Sequence, residues 1–304
     1  MQSLPRNPKN QKAFKDLGFR ELVDLAKSSN GEAMSAKNIN KILGFVSSFW
    51  SYAFGHYDDV PKSPFVGMKL RVESAESEER MPFDEKQLSA IFNAPLYKGC
   101  QSAEAWLTTG AFSMRDTSLF WIPLIGLFTG ARSSEIIQLD VTDVELKGDI
   151  TFFSIAKEGA DKRAKTRESR REIPIHRELL RIGFLEFLEK RKTSGEKRLF
   201  PDMPMAADGN YSTSYSPRFK RFLESVDVKD ELNSFHSFRH SFEDAALSSG
   251  IPQEFIDAIQ GHKTPGSAKR YGTGLVRIKK LNEEMQKLEH EDMDLSHLML
   301  ARSA

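Results

Sequence analysis

The chain has 304 residues, which is enough for about two domains with a core in each. With 39% hydrophobic and 29% charged residues, it has the composition of a globular protein rather than a disordered one. Its single cysteine, Cys100, excludes an internal disulfide framework and a zinc site built from several cysteines. The uncharged stretch 117–131 has 15 residues, fewer than the roughly 20 of a membrane-spanning helix. Because residues 1–30 also lack the apolar core of a signal peptide, the sequence predicts a cytoplasmic protein without a membrane segment.

Charge is distributed unevenly along the chain. The 44 basic and 43 acidic residues leave a net charge of +1, which by itself does not indicate a polyanionic partner. Residues 281–304 contain two basic and six acidic side chains, whereas residues 157–171 contain seven basic and three acidic ones. The second stretch either faces phosphate or is a solvated loop, and charge alone leaves both interpretations open.

The sequence pattern of residues 1–72 predicts a small helical unit. Ser35 stands where a helix N-cap is expected, and apolar residues then recur at helical spacing. Lys37 and Lys41 lie on another face of this helix, which is usually a solvated arrangement but is also the shape of a helix laid against DNA. The acidic segment 73–81, rich in small residues, then predicts a linker.

Residues 82–280 predict a larger unit of mixed structure. An apolar helix over 119–128 is followed by a shorter amphipathic helix. Two extended runs, 150–155 and 172–175, are joined by the basic stretch, which predicts a long hairpin connection. From residue 177 onward the pattern is helical almost to the end. We therefore expect a mainly α fold with a small antiparallel β-sheet.

Residues with the chemistry of a reaction site occur in three parts of this second unit. These are TGARSSE at 129–135, KTRESRR at 165–171, and HSFRH at 236–240 followed by Gly261-His262 and Tyr271. A tyrosine phenol can attack phosphorus and hold the strand as a phosphotyrosine, which conserves the bond energy for rejoining. The basic neighbours of Tyr271 would stabilise its phenolate, although a surface position is the commoner role of any one tyrosine.

Arg132 and Arg239 suit a phosphodiester under attack. Guanidinium forks match the charge that develops on the non-bridging oxygens, and they keep their protons. Both arginines lie in apolar or aromatic surroundings, where such a charge is costly without an anionic partner. The alternative is a structural ion pair, of Arg132 with Glu135 or of Arg239 with Glu243; Glu135 could also orient an arginine. His236 stands three residues before Arg239, so the two can reach one phosphate together.

The order Arg, Lys, His-x-x-Arg, Gly-His and Tyr resembles the catalytic signature of the tyrosine recombinases, the phage integrase family, over about residues 80–280. The resemblance implies a helical core-binding domain in residues 1–72 and an α+β catalytic domain in residues 82–280. It also implies site-specific DNA recombination, in which a phage or mobile element is integrated and excised through a 3′-phosphotyrosine and a Holliday junction. The implied partners are double-stranded DNA attachment sites, further copies in a homotetramer on DNA, and accessory DNA-bending or directionality proteins. No metal or other cofactor is implied.

The resemblance also assigns roles to individual residues. His236 acts in proton transfer with Tyr271, His262 bonds to the phosphate, and Lys165 protonates the leaving 5′-oxygen. The implied catalytic residues are Arg132, Lys165, His236, Arg239, His262 and Tyr271. Glu135 supports them by orienting an arginine. The candidate DNA contacts are Lys37, Lys41, Lys157, Lys162 and Arg163, of which Lys157 and Lys162 are also rivals of Lys165.

Three other functions compete with recombination. A type IB topoisomerase shares the chemistry, but the separate helical unit and the nine residues from His262 to Tyr271 favour a recombinase. A DNA-binding protein without catalysis is disfavoured because every catalytic position is filled. His236 and His240 have the spacing of a zinc-protease helix, but Ser237 stands where that motif requires glutamate.

Residues 281–304 form an acidic tail with an apolar stripe through Leu281, Met285 and Leu288. Because the tail follows the nucleophile closely, it could dock on a neighbouring protomer and control delivery of Tyr271. The alternative is an ordinary helix packed on its own domain.

Leaving-group chemistry distinguishes Lys165 from its neighbours. A general acid contributes about 10²–10⁴-fold when an alkoxide leaves, whereas a 5′-thiolate needs little proton assistance. Lys165→Ala should therefore be severely slowed on normal DNA and largely restored on a 5′-thio substrate. Lys162→Ala should show a mild defect that sulfur does not change. Single-turnover cleavage of both substrates measures this, and rescue of Lys162→Ala instead would shift the assignment by three residues.

Overall fold

The structure is a computed structural model that describes residues 17–28, 34–72, 81–155, 170–230, 232–262, 273–291 and 293–300. The chain divides into two compact units, Met1–Glu78 and Glu79–Ala304. The elements of the first unit are α1 (Phe19–Ser28) and α2 (Ala36–His56). Those of the second unit are α3 (Glu85–Phe92), α4 (Pro95–Lys98), α5 (Ser118–Thr129), α6 (Ser133–Ile137), β1 (Val144–Lys147), β2 (Ile150–Ile155), β3 (Arg171–Pro174), α7 (Arg177–Ile182), α8 (Phe184–Thr193), α9 (Tyr211–Ser225), α10 (Ser237–Ser248), α11 (Gln253–Gln260) and α12 (Gly274–Met285).

Helix α2 begins where its N-cap predicts. Ser35 is extended, and its hydroxyl accepts a hydrogen bond from the Asn38 backbone N–H at 3.3 Å. This bond satisfies one of the amides that the first turn of a helix leaves without a partner. Ile39 and Leu43 are buried on one face of the helix. The apolar spacing in the sequence therefore identifies the inward face of the first unit.

The polar face of α2 has two parts with different roles. The Asn40 side-chain amide donates to the Leu70 carbonyl, and the Leu70 N–H donates to the Asn40 amide oxygen, both at 2.8 Å. Asn40 therefore fixes the segment that follows α2. Lys37 and Lys41 are exposed, which fits both a solvated face and a face laid against DNA, so their role as DNA contacts stays a prediction.

Helix α5 forms the centre of the second unit. All of its 12 residues are buried, which agrees with their lack of formal charge. The helix packs against α10. It also comes close to Phe235, two residues before α10, because a Cβ added to Gly126 would lie 2.6 Å from that ring. Only glycine allows that separation without displacing the ring.

The sheet is antiparallel with the strand order β1-β2-β3. Phe153 pairs with Val144 on one side and with Ile173 on the other. Phe153 belongs to the main core, whereas Phe152 packs with Ile278 of α12 on the opposite face. Because both faces of β2 are covered, its sequence does not alternate cleanly between apolar and polar residues. The predicted pairing of β2 with β3 is thus confirmed, while β1 was not predicted from the sequence.

The apolar stripe of the C-terminal tail packs on its own unit. Leu281, Met285 and Leu288 are buried and belong to the same core as α5, as do Leu295 and Leu298. The apolar surface of these side chains is thus covered by their own unit, and a contact of the tail with a neighbouring protomer stays a prediction.

Two histidines pack against Phe128 near this tail. The His176 ring stacks on Phe128 at 4.9 Å, and the His290 ring meets it edge-on at 5.5 Å. The Nδ1 atom of His176 also accepts a hydrogen bond from the Glu178 backbone N–H at 3.3 Å, which caps α7. Burial, assisted by Arg177, lowers the pKa of His176 to about 3, and burial lowers the pKa of His290 to about 4. Both rings are therefore neutral in the folded protein at neutral pH.

The second unit should lose stability in mild acid. The unfolded chain binds protons at these histidines below about pH 6.5, whereas the folded chain does not, so the loss begins there and continues towards pH 4. Each histidine should contribute about 2 kcal/mol to the difference in unfolding free energy between pH 7.5 and pH 5. His290→Phe should reduce that difference by about 2 kcal/mol, because the variant lacks one of the two buried histidines. The control His56→Phe, at an exposed position of the first unit, should leave the difference unchanged. Urea unfolding at both pH values measures this, and an unchanged difference in His290→Phe would contradict it.

Candidate active site

The turn after α5 places Arg132. Gly130 ends the helix with a φ of +60°, a left-handed conformation that favours glycine. A Cβ at this position would lie 2.8 Å from Phe242 and 2.9 Å from Gln260, so the turn also fits tightly against α10 and α11. The chain leaves the buried helix in a fixed direction, and Arg132 is the N-cap residue of the next helix, α6.

Glu135 joins two arginines. Its carboxylate accepts hydrogen bonds from the Arg132 backbone N–H and from Arg132 Nη1, both at 3.0 Å. It also accepts one from Arg171 Nη2 at 2.8 Å. Burial alone would raise the pKa of Glu135, but the charge and hydrogen bond of Arg171, with those of Arg132, lower it to about 2. Glu135 is therefore a carboxylate at neutral pH, and Arg132 is held by it while 42% of its side chain stays exposed.

Arg239 is buried in the first turn of α10. Its Nη1 atom donates to the Gly130 carbonyl at 2.8 Å, and its Nη2 atom donates to the Gln260 carbonyl at 2.9 Å. Burial first, and then the charges of Arg132 and Arg171, lower its pKa to about 10. Within the described part of the chain Arg239 has no ion pair, so the suggested structural pair with Glu243 is not formed. This guanidinium is fixed by backbone carbonyls rather than by a carboxylate.

His262 completes this group of side chains. Gly261, at a φ of +74°, ends α11, and the His262 ring follows with its Nε2 atom 2.6 Å from Arg239 Nη2. Because a guanidinium only donates, Nε2 accepts this bond, and the ring proton is on Nδ1, which lies 3.6 Å from Asp257. Burial and the Arg239 charge lower the pKa of His262, so the ring is neutral here.

His236 lies at the start of α10, one turn before Arg239, with its side chain exposed. Its ring meets that of His240 edge-on at 5.1 Å. Among the described residues no cluster of three or more histidine, cysteine, aspartate or glutamate side chains suits a metal ion. These two histidines therefore have no third ligand in that part of the chain.

The structure thus brings together Arg132, Glu135, Arg239 and His262, and it leaves His236 at the start of the same helix as Arg239. Seven other residues of the predicted set are not in this group. Lys37 and Lys41 belong to the first unit, while Lys157, Lys162, Arg163, Lys165 and Tyr271 lie outside the described residues. The roles assigned to the last five remain predictions.

Arg171 is the member of the site that the sequence did not reveal. It is buried, although it closes a run of basic residues that predicts exposure. The only indication in the sequence is its position directly before the extended run 172–175.

A solved structure shares this architecture. The integrase of the transposon Tn1549, solved in complex with transposon right end DNA, matches with a TM-score of 0.51 at 20% identity, over 84% of this chain and 80% of that one. This match confirms the predicted fold class. The integrase from mycobacterium phage Brujita matches with a TM-score of 0.44 at 17% identity, over 94% of this chain and 84% of that one. The XerH site-specific recombinase bound to a difH substrate matches with a TM-score of 0.47 at 18% identity, over 93% of this chain and 70% of that one.

The family assignment comes from the sequence of the second unit. The model of the phage integrase family matches residues 83–274, which is more than half of the chain. The protein is therefore a site-specific DNA recombinase of the tyrosine class. It belongs to the phage integrase family.

A comparison with curated protein sequences gives no match. In the part of the chain that the structure describes, no helix combines the length and the apolar character needed to cross a membrane.

Replacing the central carboxylate should destabilise the second unit. Glu135→Gln leaves Arg171 buried without its counter-charge, which should lower the unfolding free energy by about 3–5 kcal/mol. The matched control is Glu224→Gln, since Glu224 pairs with Lys220 at 3.5 Å between exposed side chains, where a pair contributes about 0–1 kcal/mol. Urea unfolding at pH 7 measures both variants. Equal stabilities would contradict the role given to Glu135.

Proposed function

We propose that this protein cuts and rejoins DNA at attachment sites and so integrates and excises a phage or another mobile element. The observation that carries the proposal is the buried Arg239 guanidinium, which is bonded to two carbonyls and a neutral histidine. Arg132 lies close enough to lower its pKa, and part of the Arg132 side chain is exposed. Two neighbouring guanidinium groups repel each other unless an anion joins them, and a phosphodiester supplies that anion.

The reaction is a transesterification at phosphorus. The Tyr271 oxygen bonds to phosphorus, the bond to the 5′-oxygen breaks, and a 3′-phosphotyrosine and a free 5′-hydroxyl result. The proton of the phenol passes to His236, and Lys165 gives the leaving 5′-oxygen its proton. Arg132 and Arg239 stabilise the charge on the non-bridging oxygens. An anionic phosphate also favours a proton on His262 Nε2, which then donates to it.

Strand exchange follows from the same chemistry in reverse. The 5′-hydroxyl of a partner strand attacks the phosphotyrosine, and the tyrosine leaves, so no bond energy is lost and no cofactor is needed. Four protomers on two duplexes would carry this through a Holliday junction. Accessory DNA-bending or directionality proteins would select integration or excision. The place of action would be the host chromosome in the bacterial cytoplasm.

Affinity for DNA would come mainly from phosphate contacts. In the first unit the exposed Lys37 and Lys41 would contribute, and in the second unit Lys157, Lys162 and Arg163. Such contacts release counterions, so the affinity should fall as the salt concentration rises.

The nucleophile tests the proposal directly. Tyr271→Phe should bind target DNA about as tightly as wild type, because affinity comes from other residues, and yet form no covalent adduct. Tyr57→Phe is the matched control, since Tyr57 is an exposed tyrosine of the first unit. Denaturing gels of nicked attachment-site DNA measure the adduct. An adduct formed by Tyr271→Phe would show that another residue attacks.

The same preparation separates recombination from simple relaxation of DNA. Wild-type protein should exchange strands between two plasmids that carry the attachment sites. Relaxation of a supercoiled plasmid without exchange would instead favour a function like that of a type IB topoisomerase.

A further inference from the structure

Arg171 has contacts that extend beyond its own strand. It is the first residue of β3, where it pairs with Ile155 of β2, and its side chain is 2% exposed. The Nη2 atom donates to Glu135 at 2.8 Å, and the Nε atom donates to the Ile259 carbonyl at 2.5 Å. One side chain thus joins the sheet to α6 and to the end of α11.

Each of these contacts leads to a different member of the phosphate site. On one side, Glu135 is the residue that holds the guanidinium of Arg132. On the other side, a Cβ at Gly261 would lie 3.0 Å from Arg171 Nη1, so the turn that carries His262 rests on the guanidinium.

The chemistry of these contacts requires a guanidinium. Glu135 and the Ile259 carbonyl accept from different nitrogen atoms of one planar group. A lysine amine is a single point of charge and lacks this fixed fork. A buried charge also carries a desolvation cost that an apolar residue would avoid, so packing alone does not account for an arginine here.

We propose that Arg171 is a positioning residue of the recombinase: it fixes Arg132, through Glu135, and His262, through the turn at Gly261, in the geometry that receives the scissile phosphate. The inference rests on the proposed function. Arg171 acts through these two groups, and it does not itself touch the DNA.

The test compares Arg171→Met with Arg115→Met. Arg115 is a suitable control because it is a partly buried arginine away from the site that donates to the Ile182 carbonyl at 2.7 Å and to the Leu298 carbonyl. Covalent cleavage of nicked attachment-site DNA is measured in single turnover, at a temperature where circular dichroism shows each variant folded. Arg171→Met should cleave about 10–100-fold more slowly than wild type, the loss expected when a group that orients a functional side chain is removed. Arg115→Met should cleave at the wild-type rate.

A second substrate separates positioning from general loss of structure. A methylphosphonate at the scissile position replaces one charged non-bridging oxygen with a methyl group, so the reaction depends less on Arg132 and His262. The defect of Arg171→Met should therefore shrink on this substrate, whereas the 5′-thio substrate should leave it unchanged. Should Arg171→Met fail to fold, Arg171→Lys replaces it, since the amine keeps a charge beside Glu135 but loses the fork, and the same pattern is expected.

The outcomes separate the two proposals. If wild type and Arg115→Met form no adduct, the proposed function is wrong, and this inference falls with it. If wild type cleaves and the folded Arg171 variant cleaves equally fast, only the inference is overturned. The inference is also overturned if the Arg171 variant is slowed by the same factor, relative to wild type, on the diester and on the methylphosphonate. An equal loss on both substrates would mean that the defect is structural.

Discussion

The site depends on one buried carboxylate. Glu135 accepts from the backbone and the side chain of Arg132 and from the side chain of Arg171, and these partners keep its pKa near 2 despite burial. Without it, several guanidinium groups would face each other in a medium of low polarity, where like charges repel strongly. With it, Arg132 and Arg171 are fixed in place, and Arg239 is left with neutral partners. In the proposed function, this uncompensated charge of Arg239 is what would attract a phosphate.

The rest of the fold delivers the groups around that carboxylate. Helix α5 carries no charge and is mostly apolar, so it occupies the centre of the unit, and the glycine at its end directs Arg132 out of the core. Arg239 enters from α10, whose first turn reaches the carbonyl at the end of α5. His262 follows the end of α11. The Arg239 guanidinium donates both to the Gln260 carbonyl at that helix end and to the His262 ring. Three helix termini thus meet at one point, and β3 adds Arg171 from the side. These described side chains are already held by hydrogen bonds without DNA, which reduces the cost of ordering them on binding.

Much of this could be predicted from the sequence, for identifiable physical reasons. Helix α5 and the strands β2 and β3 follow from runs of apolar and β-branched residues, whereas Arg132, Arg239 and His262 were singled out by the resemblance to the catalytic signature of the phage integrase family. Strand β1 could not be predicted, because its composition is ordinary and its pairing with β2 supplies the strand character. Arg171 could not be singled out among the seven basic residues of the stretch 157–171, because burial of one of them depends on tertiary contacts. The tail was uncertain for the same reason, since an apolar stripe does not specify which surface covers it. The roles of Lys165 and Tyr271 still rest on sequence, and Lys37 and Lys41 stay candidate contacts.

The central claim is that Arg132, Arg239 and His262 form a ready-made receptor for one phosphate. The most direct measurement is a crystal structure of the protein on a duplex nicked at the attachment site, with orthovanadate in the nick as a five-coordinate mimic of the reacting phosphorus. The account predicts that both guanidinium groups and the His262 ring lie within about 2.7–3.2 Å of vanadate oxygens, while Glu135 still joins Arg132 to Arg171. Vanadate held elsewhere, with Arg239 beyond hydrogen-bond distance of it and bonded only to its carbonyls, would contradict the account.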